Sequence, residues 1–298
     1  MLLFFLTSLL TLNSLFVHQP PLPAVINEAI GFEQVYNSPK SLGIELTAKS
    51  ALVMAWPSAK ILFKKNVDQP LPIASLTKLM TALVFLDSAP DWQKVVEYNL
   101  EDTIPLQEEQ KFLEPSQIAF QNKEKIKLKD LFNAALIKSA NNAIKCLVRQ
   151  TSFCCGHNFV ELMNQKAQEL GMSKTIFVEP TGLNPSNLST ADDLSKLVLA
   201  ANSRKEITDV LVNKDYKFET ELNQQKKFYL IKNTNKSLNS FLKILVGKTG
   251  YLNEAGYCFA GLTEYNKKDF MVILLGSQSD QDRLQEIKGL TVWAAEQN

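Results

Sequence analysis

The stretch Ser75–Asp87, SLTKLMTALVFLD, places apolar residues on nearly every side of a helix, among them Leu76, Leu79, Met80, Leu83 and Val84. A helix apolar all round must be buried, so other elements have to enclose it. That requires a sizeable core. A chain of 298 residues with 45% hydrophobic composition can supply one, as a single large domain or as two lobes. Within this apolar helix stands Lys78, three residues after Ser75 and therefore on the same helix face.

The flanking segments alternate in character. SALVMAW, PSAK and ILFKKN read as strand, turn and strand. KLKDLFNAALIK and NNAIKCLVRQ read as helices separated only by SAN, and HNFVELMNQKAQEL follows and stops at Gly171. STADDLSKLVLAAN opens with a capping pattern from Ser189 to Asp192. SFLKILVGKTG, AGYCFAGLTEYN and KDFMVILLGSQ return to strands, and DRLQEIKGLTVWAAE makes a last helix. Strands at both ends with helices between predict an α+β fold. Its antiparallel sheet joins the first hairpin to the last strands and is flanked by helices, with a mainly helical lobe inserted. The expected α/β lobe runs over about 40–70 and 216–298, the helical lobe over about 71–215. The groove between them is where chemistry is expected.

Charge excludes one class of partner. The net charge is +1 and the lysines are scattered among acids, so no basic face recommends nucleic acid. The first residues, MLLFFLTSLLTLNSLFV, form an apolar run without charge, followed by proline-broken HQPPLPAVINEA. Residues 1–24 therefore read as an export segment, either cleaved or kept as an N-terminal membrane anchor, and the remainder is expected to work outside the cytoplasm. Of the four cysteines, Cys146, Cys154, Cys155 and Cys258, no spacing matches a disulfide framework. A zinc site on Cys154, Cys155 and His157 lacks a C-x-x-C pair, and no metal or other cofactor is expected.

The chemistry-bearing residues are few. LVGKTGY, residues 245–251, lacks the upstream glycine of a phosphate-cradling loop, because Leu242 stands where that glycine would be. A serine nucleophile needs a base, and both histidines, His18 and His157, are badly placed to be one. Lys78 can serve instead if burial lowers its pKa, and Ser75 sits near a helix N-terminus, where its own N–H can face an oxyanion. S-x-x-K alone is weak. It is followed, however, by SAN at Ser139–Asn141 in a helix–helix connection and by KTG at Lys248–Gly250 on a strand.

Motifs in this order and on these elements resemble those of the penicillin-recognising serine enzymes. Within that group they resemble the low-molecular-mass penicillin-binding proteins, the D-alanyl-D-alanine carboxypeptidases and DD-endopeptidases. The likeness runs from ALVMAW to MVILLGSQ and includes PIASLTKLMTALVFLD, LGMSKTIFVEPTGL, STADDL and GKTGYLNEAGYC, the last closer to the endopeptidase subgroup. It implies a β-lactamase/DD-peptidase-like fold, with residues 25–298 as a peptidase domain acting on peptidoglycan stem peptides and acylated by β-lactams. Ser75 would be the nucleophile, Lys78 its proton acceptor and Ser139 a proton relay to the leaving amine. Asn141 would hold the substrate amide. Lys248 and Thr249 would bind the terminal carboxylate, with Gly250 in the same wall and Lys248 keeping Lys78 neutral by like-charge proximity. The backbone N–H groups of Ser75 and Tyr251 would form the oxyanion hole.

Two departures stand out. Asn142 occupies a position that is acidic in many relatives, so a contact there is expected to be missing. After the last helix there is no room for the β-rich domain and C-terminal anchor of larger carboxypeptidases, so any membrane attachment is expected at the N-terminus. One rival is a class A β-lactamase, whose water-activating glutamate EPTGLN superficially matches at Glu179, with one residue too many before LN. Another is a non-catalytic wall-binding protein on the same fold.

Overall fold

The computed structural model describes residues 45–103, 116–151 and 158–297. The N-terminal segment and the Cys154, Cys155 and His157 grouping lie outside the described residues. Strands β1 (Ser50–Trp56), β2 (Lys60–Lys65), β9 (Lys243–Leu252), β10 (Gly256–Tyr265) and β11 (Lys268–Ser277) form one antiparallel sheet in the order β2-β1-β11-β10-β9. The first hairpin and the last strands do come together, with Ser50 opposite Leu275 and Trp56 opposite Asp269. Both faces are apolar because both are covered. On β11, Met271, Ile273 and Leu275 enter the core shared with the helical layer, while Phe270, Val272 and Leu274 face the opposite way. Helix α7 (Asp280–Gln297) covers this second face with Ile287, Leu290 and Trp293, the last meeting Phe63 edge-on at 6.4 Å.

On the other face stands α5 (Ala191–Asn202), and beyond it α1 (Thr77–Asp87). Every residue of α1 from Thr77 to Leu86 is buried, and α2 (Leu128–Ile137), α3 (Asn141–Gln150), α4 (Phe159–Glu169) and α5 all pack on it. The all-apolar helix is enclosed as its pattern requires. Each large side chain buried there contributes about 1.5–3 kcal/mol, and truncating Leu79 to alanine would cost about 2–5 kcal/mol.

Two small sheets and a short helix complete the layer. β3 (Leu71–Pro72) pairs with β6 (Leu188–Ser189), and α6 (Lys205–Leu211) packs on α2 and α5. β4 (Val95–Glu97), β5 (Lys125–Lys127), β7 (Asp215–Leu222) and β8 (Gln225–Lys232) form a second sheet in that order. The β7–β8 hairpin thus belongs with α2 and β5 and makes no pairing with the five-stranded sheet. The α5 cap also sits one residue later than expected. Thr190 accepts from the Asp193 N–H at 3.1 Å, because Ser189 is held in the β3–β6 ladder with its hydroxyl 2.7 Å from that of Thr175.

What matters for function is the edge of the large sheet. β9 is an outermost strand, and its far side meets the 3-10 turn Ala74–Leu76 that leads into α1.

Candidate active site

Ser75 lies in that turn, one residue after Ala74 at φ +48, a left-handed backbone costly for a residue with a Cβ. Its backbone is clamped from two sides. A Cβ on Gly182, itself at φ +83, would come within 2.1 Å of the Ala74 carbonyl oxygen, and one on Gly250 within 3.0 Å of the Ser75 nitrogen. Glycine at both positions is what lets the PTGL turn and strand β9 press against Ser75. The Thr77 hydroxyl adds a bond to Ala74 O at 2.8 Å.

Lys78 is fully buried, and its Nζ has three near partners: Ser75 Oγ at 2.9 Å, Asn141 Oδ1 at 2.6 Å and Thr181 O at 2.5 Å. Two of these are carbonyl oxygens and can only accept. A neutral amine has two N–H groups and one lone pair. With both N–H groups spent on Asn141 and Thr181, the lone pair is left facing the one partner that can donate, the serine hydroxyl. Burial supplies that neutral state, pushing Lys78 down to about 7, with the Glu179 charge pulling the other way.

Ser139 and Lys248 form the second half of the site. Ser139 bridges α2 and α3 in left-handed backbone, φ +59, and accepts from Lys248 Nζ at 2.9 Å. Lys248 also donates to Thr249 O at 2.9 Å, and the Thr249 hydroxyl lies 3.0 Å from that of Thr234. Burial pushes Lys248 well below the usual lysine range, reinforced by the charges of Lys78 and Arg283. Desolvation is the leading cause at both lysines, and the repulsion between their like charges acts on the pair as a whole.

Asn142 is buried and engaged. Its Oδ1 accepts from Ile118 N at 3.2 Å, and its Nδ2 donates to Ile118 O at 2.8 Å and Tyr98 Oη at 3.1 Å. The expectation of a missing contact at this position is corrected, because an amide satisfies both polar groups of the Ile118 backbone and a carboxylate could satisfy only one.

Glu179 is not free to activate water. Its carboxylate accepts from Thr181 N (2.7 Å), Thr181 Oγ1 (2.5 Å), Gly182 N (2.5 Å), Asn184 N (3.3 Å) and Asn187 Nδ2 (2.9 Å). These bonds hold the turn that brings Thr181 O to Lys78 and Gly182 to Ala74, so the glutamate shapes the site from behind it. This arrangement weakens the β-lactamase reading of EPTGLN.

Of the residues expected from sequence, Ser75, Lys78 and Asn141 meet in one cluster, and Ser139, Lys248 and Thr249 in a second. The Ser139–Asn141 connection and the Gly250 contact with Ser75 join the two. The Tyr251 side chain turns outward, its ring 4.2 Å from that of Tyr257 and its hydroxyl donating to Asn253 at 2.8 Å, so any role in the site belongs to its backbone. Sequence reasoning missed Thr181, which acts through a backbone carbonyl, and Arg283. From α7 the buried Arg283 donates to Gly250 O at 3.1 Å and Cys258 O at 3.2 Å, backing strand β9 beneath the site.

The D-alanyl-D-alanine carboxypeptidase family, peptidase S11, matches residues 34–279. A D-alanyl-D-alanine endopeptidase of Pseudomonas aeruginosa is 32% identical over 252 residues, covering 84% of this chain and 77% of that protein. An Escherichia coli protein of the same name is 30% identical over 253 residues, covering 84% and 77%. Among solved structures, the Streptomyces K15 DD-transpeptidase superposes with a TM-score of 0.77 at 24% identity, covering 84% of this chain and 97% of that one, which establishes the shared fold.

Proposed function

The chain belongs to the D-alanyl-D-alanine carboxypeptidase family, and from that membership we propose that it is a serine DD-peptidase of peptidoglycan whose reaction runs through an acyl-ester on Ser75. The observation that carries the reading is the Lys78 amine, whose one donor-capable near partner among the described residues is the Ser75 hydroxyl. Lys78 takes that proton as Oγ attacks the carbonyl of the penultimate D-alanine. The resulting oxyanion is held by the N–H groups of Ser75 and Tyr251. Collapse expels the amine of the terminal D-residue, which takes the Ser139 hydroxyl proton, while the proton that Lys78 took from Ser75 passes on to Ser139, held in place by Lys248, and leaves Lys78 neutral again. Lys248 and Thr249 bind the free carboxylate beside that amine, and Asn141 holds the substrate amide. Water then hydrolyses the ester.

A β-lactam offers a strained amide beside a carboxylate and so enters the same groove. With Glu179 saturated by its own turn, water lacks an activating carboxylate there and the penicilloyl ester persists. Intact-mass spectrometry after adding benzylpenicillin should show one stable adduct, mapped to the peptide containing Ser75 and absent from Ser75→Ala. Catalytic loss of the drug with no lasting adduct would make this a β-lactamase. Absence of any adduct together with no cleavage of a D-Ala-D-Ala peptide would make it a non-catalytic binder.

Between the two peptidase activities, the curated relatives named endopeptidases support cleavage of cross-links. Digestion of isolated peptidoglycan decides it, through the loss of cross-linked dimers as against the loss of terminal D-alanine. We further propose that residues 25–298 form the catalytic domain, its helical lobe taking in the β7–β8 hairpin that the sequence had assigned to the α/β lobe. Residues 1–24 then direct or tether it to the extracytoplasmic space. N-terminal sequencing of the mature protein separates cleavage from anchoring.

A further inference from the structure

Thr234 carries no motif. It lies in the connection between β8 and β9, yet it is held in place from several directions. Its N–H donates to Ile137 O at 3.1 Å, at the end of α2 and just before Ser139. Asn233 anchors the residue before it, with Nδ2 donating to Asn213 O at 2.8 Å and Leu211 O at 3.2 Å, and Oδ1 accepting from Asn235 N at 2.8 Å. The buried Asn235 holds the chain after it, with Oδ1 accepting from Ser237 N at 3.1 Å. The one side chain of the tripeptide left to face the site is Thr234, half-buried, with its hydroxyl 3.0 Å from that of Thr249.

We propose that Thr234 is a positioning residue for carboxylate recognition, aiming the hydroxyl proton of Thr249 at the substrate. This deepens the peptidase reading and rests on it, because Thr249 is there assigned to the terminal carboxylate. Two hydroxyls in contact share one proton between them and leave one free. If Thr249 donated to Thr234, it would turn a lone pair toward the incoming anion. If Thr234 donates to Thr249, the Thr249 proton is the free one and points outward, and accepting a bond makes it a stronger donor. An incoming carboxylate selects the second arrangement. Lys248 cannot replace it unaided, because two of its donors are already spent on Ser139 Oγ and Thr249 O.

The test compares Thr234→Val, which keeps the shape and loses the hydroxyl, with Thr234→Ser, which keeps the hydroxyl. Two probes are used: an N-acetylated peptide ending in D-Ala-D-Ala, and an acylaminomethyl boronic acid without a carboxylate that bonds reversibly to Ser75. Thr234→Val should lower kcat/KM for the peptide about tenfold, chiefly through KM, as expected for a weakened bond to a charged group. Boronic acid affinity should stay at the wild-type value, and Thr234→Ser should recover most of the loss. Equal weakening of both probes would show a merely structural role and overturn the proposal, as would an unchanged KM in Thr234→Val. A wild-type protein that binds the boronic acid but never cleaves the peptide would instead overturn the peptidase reading, and this inference with it.

Discussion

Replacing Gly182 by alanine tests whether the PTGL turn positions the nucleophile. The new Cβ would stand 2.1 Å from Ala74 O and 2.9 Å from Ser75 N, where real Cβ contacts essentially never fall below 3.0 Å. Relief requires the turn and the Ser75 backbone to part by roughly 1 Å, a displacement of the size that costs about a hundredfold in rate at a pre-organised site. Backbone strain at φ +83 adds about 1–2 kcal/mol and forced repacking about 1–3 kcal/mol. At about 2–4 °C per kcal/mol for a domain of this size, Tm should fall by on the order of 10 °C. The assay is the second-order rate of acylation by a fluorescent penicillin, read beside a thermal melt. Gly171→Ala is the matched control, since Gly171 has φ +70 with nothing within 4 Å of the added Cβ. It should lose only the backbone term and acylate at the wild-type rate. Wild-type acylation by Gly182→Ala, or equal slowing in the control, would refute the clamp.

Acylation should rise with pH through about 7, because Lys78 accepts the serine proton only when neutral and its folded pKa lies there. Glu179→Gln removes the charge that favours the Lys78 ammonium, so the midpoint of that limb should move to lower pH. A flat profile or an upward shift in stopped-flow rates contradicts this. Asn142→Asp should destabilise by about 1–3 kcal/mol, because a carboxylate would face Ile118 O where an amide N–H now donates, and a raised Tm would contradict that.

The parts of this molecule legible in its sequence are those that side-chain pattern dictates. The apolar circumference of α1 required enclosure, the apolar runs at both ends of the chain read as one antiparallel sheet, and S-x-x-K, SAN and KTG picked out residues that the fold brings together. What stayed hidden depends on long-range backbone geometry. Thr181 acts through a carbonyl that every residue possesses, so no residue type announces it. Glu179 resembled a water-activating glutamate in one dimension, and its five donors show that it braces a turn. Arg283 reaches Gly250 across the sheet from a helix distant in sequence, and the α5 cap shifted because Ser189 was already committed to a ladder.

The pairing of β1 with β11 sets an order of assembly. Strand β1 emerges early from any vectorial process, but its partner on the inner side of the sheet is among the last strands made, with Ser50 opposite Leu275. The central ladder therefore cannot close until almost the whole domain is present, a high-contact-order topology that slows folding. Slow closure leaves the early strands unpaired for longer. It also delays reactivity. Ser75 and Lys78 follow β2, whereas Gly250 and Lys248 arrive on β9, so the two halves of the candidate site meet only after the sheet has closed around them.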